Sequence, residues 1–186
     1  MTGPTPYSDN LREFIFSNQP GLVVLDTLEF NHPAFLDGDN QPTAARVVND
    51  ADDFYGQLEA NAPMNGGEVV KFLAARFELT LPESNGPGLP SCQIAVDNIG
   101  RLLMDPIERA VQVPAPIMIT YRHWLASKDA PIEEPGELGV VIDGMSLRRV
   151  NASELRITGT AGFEDDLNTP FPRKNYTREE YPGLVR

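Results

Sequence analysis

Residues 69–125 carry the pattern that most restricts the fold. Val69 to Leu81 reads VVKFLAARFELTL, and from Phe72 it sets a row of Phe72, Ala74, Arg76, Glu78 and Thr80 against a row of Leu73, Ala75, Phe77, Leu79 and Leu81. A period of two belongs to a strand with one face in a core and the other partly wet. Cys92 to Asn98 reads as a second strand. Asn98 can cap a turn carrying Leu102 and Leu103, and Asp105, Pro106 and Glu108 supply the cap, N1 proline and capping-box acid of a short helix through Val111. Leu103, Ile107 and Val111 stand four apart and share a face. Pro116 to Leu125 is a third strand, with Ile117, Ile119, Tyr121 and His123 on one row and Met118, Thr120, Arg122 and Trp124 on the other. Both rows carry large groups, so one face is expected to meet a second layer or a partner subunit.

The rest of the chain reads in the same idiom. Ser8 caps a short helix over residues 8–18, with Leu11, Phe14 and Ile15 on one stripe. Such a helix is too short to stand alone in water and must dock. Gly21 to Phe30 is a strand in which Asp26 is the odd member of an apolar row; a sheet edge or a hydrogen-bonded turn is expected to house it. Asn31 to Pro42, rich in Asn, Asp, Gly and Pro, is a loop anchored by Phe35 and Leu36. Ala44 to Asp50 is a short strand. Residues 50–68 form a long mobile excursion, read either as a flexible loop or as a segment ordered against a partner. Pro82 to Pro90 is turn-dense, and Ala126 to Gly136 is an acidic loop. Gly136 to Phe163 contains further strands, and Asp143 with Gly144 marks a hairpin turn.

These elements predict a mainly β chain, a sheet-based domain with short helices and an extended C-terminal arm. The domain spans 1–164 and the arm 165–186, where DDLNTPFPRKNYTREEYPGLVR is stiffened by Pro170, Pro172 and Pro182. A length of 186 residues suits one domain with a sizeable core. Fifteen glycines and 17 prolines argue for short elements and long connections.

Charge and cysteine usage exclude several functions. Fifteen Lys and Arg against 27 Asp and Glu leave a formal charge of -12, the wrong sign for neutralising phosphates, so tight nucleic-acid binding, sequence-specific binding included, is disfavoured. Arg148 with Arg149, and Arg173 with Lys174, are too few to make a groove for it. The same acidity suits a surface past which DNA slides without sticking. The single cysteine, Cys92, forms no internal disulfide and reads as a small buried side chain. No cationic, apolar leader and no run of membrane-spanning length is present, so the chain is expected to be made in the cytoplasm and to stay there until assembled.

No enzyme motif emerges. His32 and His123 have no spacing partners, and with Cys92 they make no zinc site. Neither a calcium loop, a phosphate loop nor a serine elbow is found, so no cofactor, metal or catalytic residue is assigned. The adjacent acids Glu133 and Glu134, Asp165 and Asp166, and Glu179 and Glu180 read as solvated surface. Asp97, at a strand end, has the placement that enzymes favour, although capping explains it as well. What does stand out is aromatic surplus: Tyr121, Trp124, Phe171, Tyr176 and Tyr181 exceed what one core needs. With Leu184 they are the candidate interface residues, packing within the chain being the other reading.

The order of several landmarks resembles a family of small proteins of unknown function encoded by tailed bacteriophages and prophages. They are FSN (Phe16 to Asn18), TLEF (Thr27 to Phe30) with HPAF (His32 to Phe35), AVDNIGR (Ala95 to Arg101), ITYRHWL (Ile119 to Leu125), Phe163 to Leu167, and PFPRKNYTREEYPGL (Pro170 to Leu184). The resemblance implies a structural component of a long, non-contractile tail, at its distal tip or hub near the tape-measure protein. Proteins of that kind are generally β-sandwich or barrel domains that form rings, so the resemblance implies a β-sandwich or partly open barrel and a homo-oligomer touching neighbouring tail-tip proteins, made in the host cytoplasm and carried in the virion tail. One related group holds an iron-sulfur cluster on a cysteine-rich C-terminal domain, which a chain with Cys92 alone does not reproduce. An assembly chaperone absent from the finished virion and a cell-wall hydrolase are the alternatives, with Asp97 the first residue to test for the latter.

Overall fold

The computed structural model describes residues 21–80, 91–97, 104–127, 134–153 and 156–163. The expected helix over 8–18 and arm over 165–186 lie outside them. In chain order the elements are β1 (Leu22–Leu36), β2 (Pro42–Val48), β3 (Phe54–Gln57), β4 (Val69–Ala74), β5 (Phe77–Thr80), β6 (Ser91–Asp97), α1 (Met104–Ala110), β7 (Ile117–Ser127), β8 (Glu137–Ala152) and β9 (Arg156–Phe163). The fold is mainly β, as the alternation predicts: one nine-stranded sheet in the order β3-β4-β2-β1-β7-β8-β9-β6-β5. Every pairing is antiparallel except β2 with β4.

A two-residue link sets the shape of this sheet. β4 lies beside one edge and β5 is the other edge, yet Ala75 and Arg76 alone join them. Consecutive Cα atoms are about 3.8 Å apart, so the link spans at most about 11 Å. The sheet must therefore curl until its ends come side by side. The Ala75 N–H donates to Val48 O at 3.0 Å and the Phe77 N–H to Asn49 Oδ1 at 3.3 Å, while Arg76 O accepts from the Asp97 N–H at 2.8 Å. The sheet stays open, curled in the manner of a partly open barrel.

The predicted single strand over 69–81 is in fact β4 and β5, and its burial phase changes at the link. Val70 and Phe72 are buried before it, Ala75 and Phe77 after it. The two parts serve different cores. Phe72 packs with Val48, Phe54, Leu58, Val70 and Trp124, whereas Ala75 and Phe77 belong to the larger cluster with Leu28, Phe30, Ile94, Ile119 and Tyr121. The central strand β7 feeds both, its Ile117, Ile119 and Tyr121 row entering the larger core and Trp124 the smaller. Its second layer is thus supplied by the chain itself. α1 closes the larger core with Ile107 and Ala110. Val111, expected on the same face, lies beyond the helix and is 83% exposed.

Three further expectations are corrected. HPAF does not open a loop: β1 continues to Leu36, and the chain turns at Asp37, whose Oδ1 accepts from the Asp39 and Gln41 N–H groups at 2.9 and 2.8 Å. Asp143 and Gly144 do not make a hairpin. β8 runs through them, and between the pairs Ile119 with Met145 and Tyr121 with Ile142 they stand opposite Thr120 alone, a bulge in which Gly144 adopts φ 75°. The reversal comes at Ser153, whose hydroxyl donates to Arg156 O at 2.7 Å. Residues 50–68 are built rather than loose: β3 is followed by a strap whose ends meet through the Leu58 N–H and Glu68 O at 2.9 Å.

Candidate functional site

Two of the six candidate interface residues fall inside the molecule. Trp124 is fully buried and Tyr121 is 3% exposed. Trp124 sits edge-on to Phe54 and Phe72, with ring centroids 5.5 and 5.8 Å away. Its Nε1–H donates to Thr27 Oγ1 at 2.8 Å, so even its polar end is satisfied internally. Both pack within the chain, because the described residues form two cores where one was expected. Phe171, Tyr176, Tyr181 and Leu184 lie outside the described residues.

Asp26 and His123, a lone acid and a lone histidine in the sequence, are direct partners across the β1–β7 ladder. Asp26 Oδ1 lies 2.5 Å from His123 Nδ1, and the Tyr121 hydroxyl is 3.2 Å from Asp26 Oδ1 and 2.9 Å from His123 Nε2. Asp26 therefore sits between two paired strands, not at an edge. The trio is a part-buried polar network, with the His123 and Asp26 side chains 26% and 36% exposed. His32 is likewise satisfied. Its Nδ1 accepts from the Ala34 N–H at 3.0 Å, which leaves Nε2–H to donate to Ala115 O at 3.1 Å.

The residues 58–68 strap is held by charge. Arg122, fully buried on β7, donates from Nε and Nη2 to the two Glu59 carboxylate oxygens at 2.9 and 2.7 Å. Its Nη1 lies 3.4 Å from Oε2 of the buried Glu29, which also accepts from Arg46 Nε at 2.8 Å. Arg46 reaches on to Asn65 Oδ1 in the strap at 2.9 Å. Burial pushes the Glu59 carboxyl up, but its bonds to Arg122 outweigh that and hold it below the usual glutamate value. One signal for this network is present in the sequence: Glu29 in an apolar strand needs a cation, and it stands opposite Arg46 in the β1–β2 register.

Cys92 is 1% exposed, its Sγ 3.7 Å from Met145 Sδ, and burial raises its thiol above the usual value, which removes it as a nucleophile. Asp97, the acid in an enzyme-like placement, opens on a cleft of about 540 Å³ beside the β4–β5 link, lined by Asn49, Asp50, Arg76, Glu78 and Arg156. There Arg156 lies between two carboxylates, 2.7 Å from Glu78 Oε2 and 4.0 Å from Asp97 Oδ1. Among the described residues, no group of three or more His, Cys, Asp or Glu is placed to hold a metal ion, and no helix is long and apolar enough to cross a membrane.

What the described surface offers is a strand edge. The Asp97 N–H bond to Arg76 O marks those two as a bonded pair of the β5–β6 ladder. Alternation then makes Glu78–Ala95 and Thr80–Gln93 bonded pairs and turns the Leu79 N–H and C=O away from β6, toward the open side of β5. No described strand pairs with that side. The opposite edge is different: Tyr55 O in β3 accepts from the Gly136 N–H at 3.2 Å.

No curated protein matches the chain. Residues 10–176 match the family described as Domain of unknown function (DUF1833), a stretch that takes in every described residue, and the chain belongs to that family.

Proposed function

We propose that the chain is a structural component of a phage tail tip or baseplate, forming subunit contacts in a ring or hub at the distal end of the tail. The observation that carries this reading is the contrast between an interior that uses its own large aromatics on both faces of β7 and a strand, β5, whose outer edge no described strand pairs. A ring subunit needs such a body, rigid in itself and open to strand addition at a defined edge. The order of landmarks from Phe16 to Leu184 that resembles phage tail proteins supports the same reading. Its partners are neighbouring copies, adjacent tail-tip proteins and the tape-measure protein, with contacts made by the β5 edge and by Phe171, Tyr176, Tyr181 and Leu184.

The test is the mass of the purified protein in solution together with immunodetection in purified virions. A ring-sized oligomer, or a monomer retained in virions, is the expected result. A monomer missing from virions overturns the reading in favour of an assembly chaperone.

A further inference from the structure

A second cleft, of about 300 Å³, lies over the wet face of β5, β6 and β9, lined by Glu78, Thr80, Gln93, Thr158, Thr160 and Arg149. Its construction is specific. Between the pairs Arg148 with Thr160 and Asn151 with Thr158, two residues of β8, Arg149 and Val150, stand opposite Gly159 alone. Arg149 takes φ 52°, a left-handed conformation that a side chain rarely adopts, and the bulge carries it to the wall of the cleft. Beside the bulge, a Cβ at Gly159 would lie 2.7 Å from Leu147 Cδ1, the end of a flexible side chain. Among the described residues Arg149 has no ion pair or hydrogen bond, whereas Arg156 and Arg148 are both engaged.

We infer that this cleft binds an acidic sugar, a saccharide ring bearing a carboxylate or phosphate that Arg149 receives. β6 and β9 are paired on both sides and β5 offers ladder positions only along its outer edge, so across the floor of the cleft the main chain has none to give an extended peptide. Recognition there comes from side chains, the hydroxyls of Thr80, Thr158 and Thr160 and the Gln93 amide, while the Glu78 carboxylate is engaged by Arg156 at 2.7 Å. That set supplies donors and acceptors to a polyhydroxylated ring, and one unpaired guanidinium supplies the charge for its anionic group. The inference is independent of the tail-tip reading.

The test titrates the full-length, isotope-labelled chain with glucuronic acid, glucose 6-phosphate, glucose and inorganic phosphate while amide shifts are followed. Saturable shifts at Gln93, Thr158, Gly159 and Thr160 are expected with an acidic sugar, with affinity at least tenfold weaker for glucose. Arg149→Gly suits the left-handed backbone and should fold. It is expected to bring the acidic sugars down to the glucose level, while Arg149→Lys keeps part of the preference. No saturable shift in the cleft, equal saturation by inorganic phosphate, or an unaltered preference in Arg149→Gly would overturn the inference.

Discussion

Glu59 and Arg122 meet in a two-bond fork, 2.9 and 2.7 Å, with the Arg122 side chain fully buried and that of Glu59 16% exposed. A buried pair of this kind adds little over a well-packed apolar pair, but removing one partner strands the other. Glu59→Gln leaves Arg122 with Glu29 alone and is expected to cost about 3 kcal/mol in urea unfolding. Arg122→Met should be milder than its size suggests, because Glu29 keeps Arg46.

The same fork sets an acid limit. The folded carboxyl of Glu59 titrates below its ordinary 4.5, so its stabilisation is complete above that value and is lost as pH falls through the depressed one. Urea midpoints should therefore be flat on this account above about pH 5 and decline below about pH 4. In Glu59→Gln that decline is expected to be shallower; an identical acid limb in both proteins would refute the assignment.

Gly56 faces the ring of Trp124, where an added Cβ would stand 2.8 Å from Cη2. The ring is wedged between Phe54 and Phe72 and has no room to retreat. Gly56→Ala is expected to destabilise by about 1–3 kcal/mol through overpacking. Trp124 is the single tryptophan, so its fluorescence reports the change directly, and an unshifted spectrum with unchanged stability would contradict the packing described.

Gly144 is the complementary case. Its φ of 75° is left-handed, and nothing lies within 4 Å of an added Cβ. Gly144→Ala therefore carries backbone strain without a clash, about 1–2 kcal/mol. Asn, which tolerates that conformation, should recover part of the loss. Equal stability for all three residues would mean that β8 is not bulged at this point.

Cys92 offers a readout of global opening. Buried against Met145, with its thiol raised by burial, it should resist alkylation in the folded protein. Its labelling rate is expected to follow the unfolded population across a urea series, and rapid labelling in native buffer would disprove its burial.

Local patterning was legible because it depends on neighbours in sequence. The period of two marks β7 and the two halves of 69–80, and the Asp105, Pro106 and Glu108 signature points to a helix from Pro106 through Val111, where α1 runs from Met104 to Ala110 with Asp105 inside its first turn. What stayed hidden depends on register. Asp26 looked misplaced in an apolar row because its partner, His123, lies 97 residues away, and Glu29 shares a guanidinium with Glu59 only after β1, β7 and the strap have assembled. Asp143 with Gly144 has the composition of a turn, yet a left-handed glycine serves a bulge equally well, and the ladder to β7 selects the bulge. Tyr121 and Trp124 were read as surplus because period two cannot reveal that opposite faces of one strand fill two separate cores.

The link through Ala75 and Arg76 has a kinetic consequence. Because β4 and β5 are consecutive in the chain but belong to opposite ends of the sheet, neither end gains its full set of contacts until all the ladders between them, formed by segments as far apart as β2 and β9, are in register. Loop entropy must be overcome before these distant pairings reward it, so folding is expected to be slow and all-or-none, in the range of milliseconds to seconds for topologies of this kind. Until the link is seated, β5 and the strands that follow it can pair with the β1 of another copy, since β7 joins β1 across the link. Crowded folding intermediates would then exchange strands through a two-residue hinge.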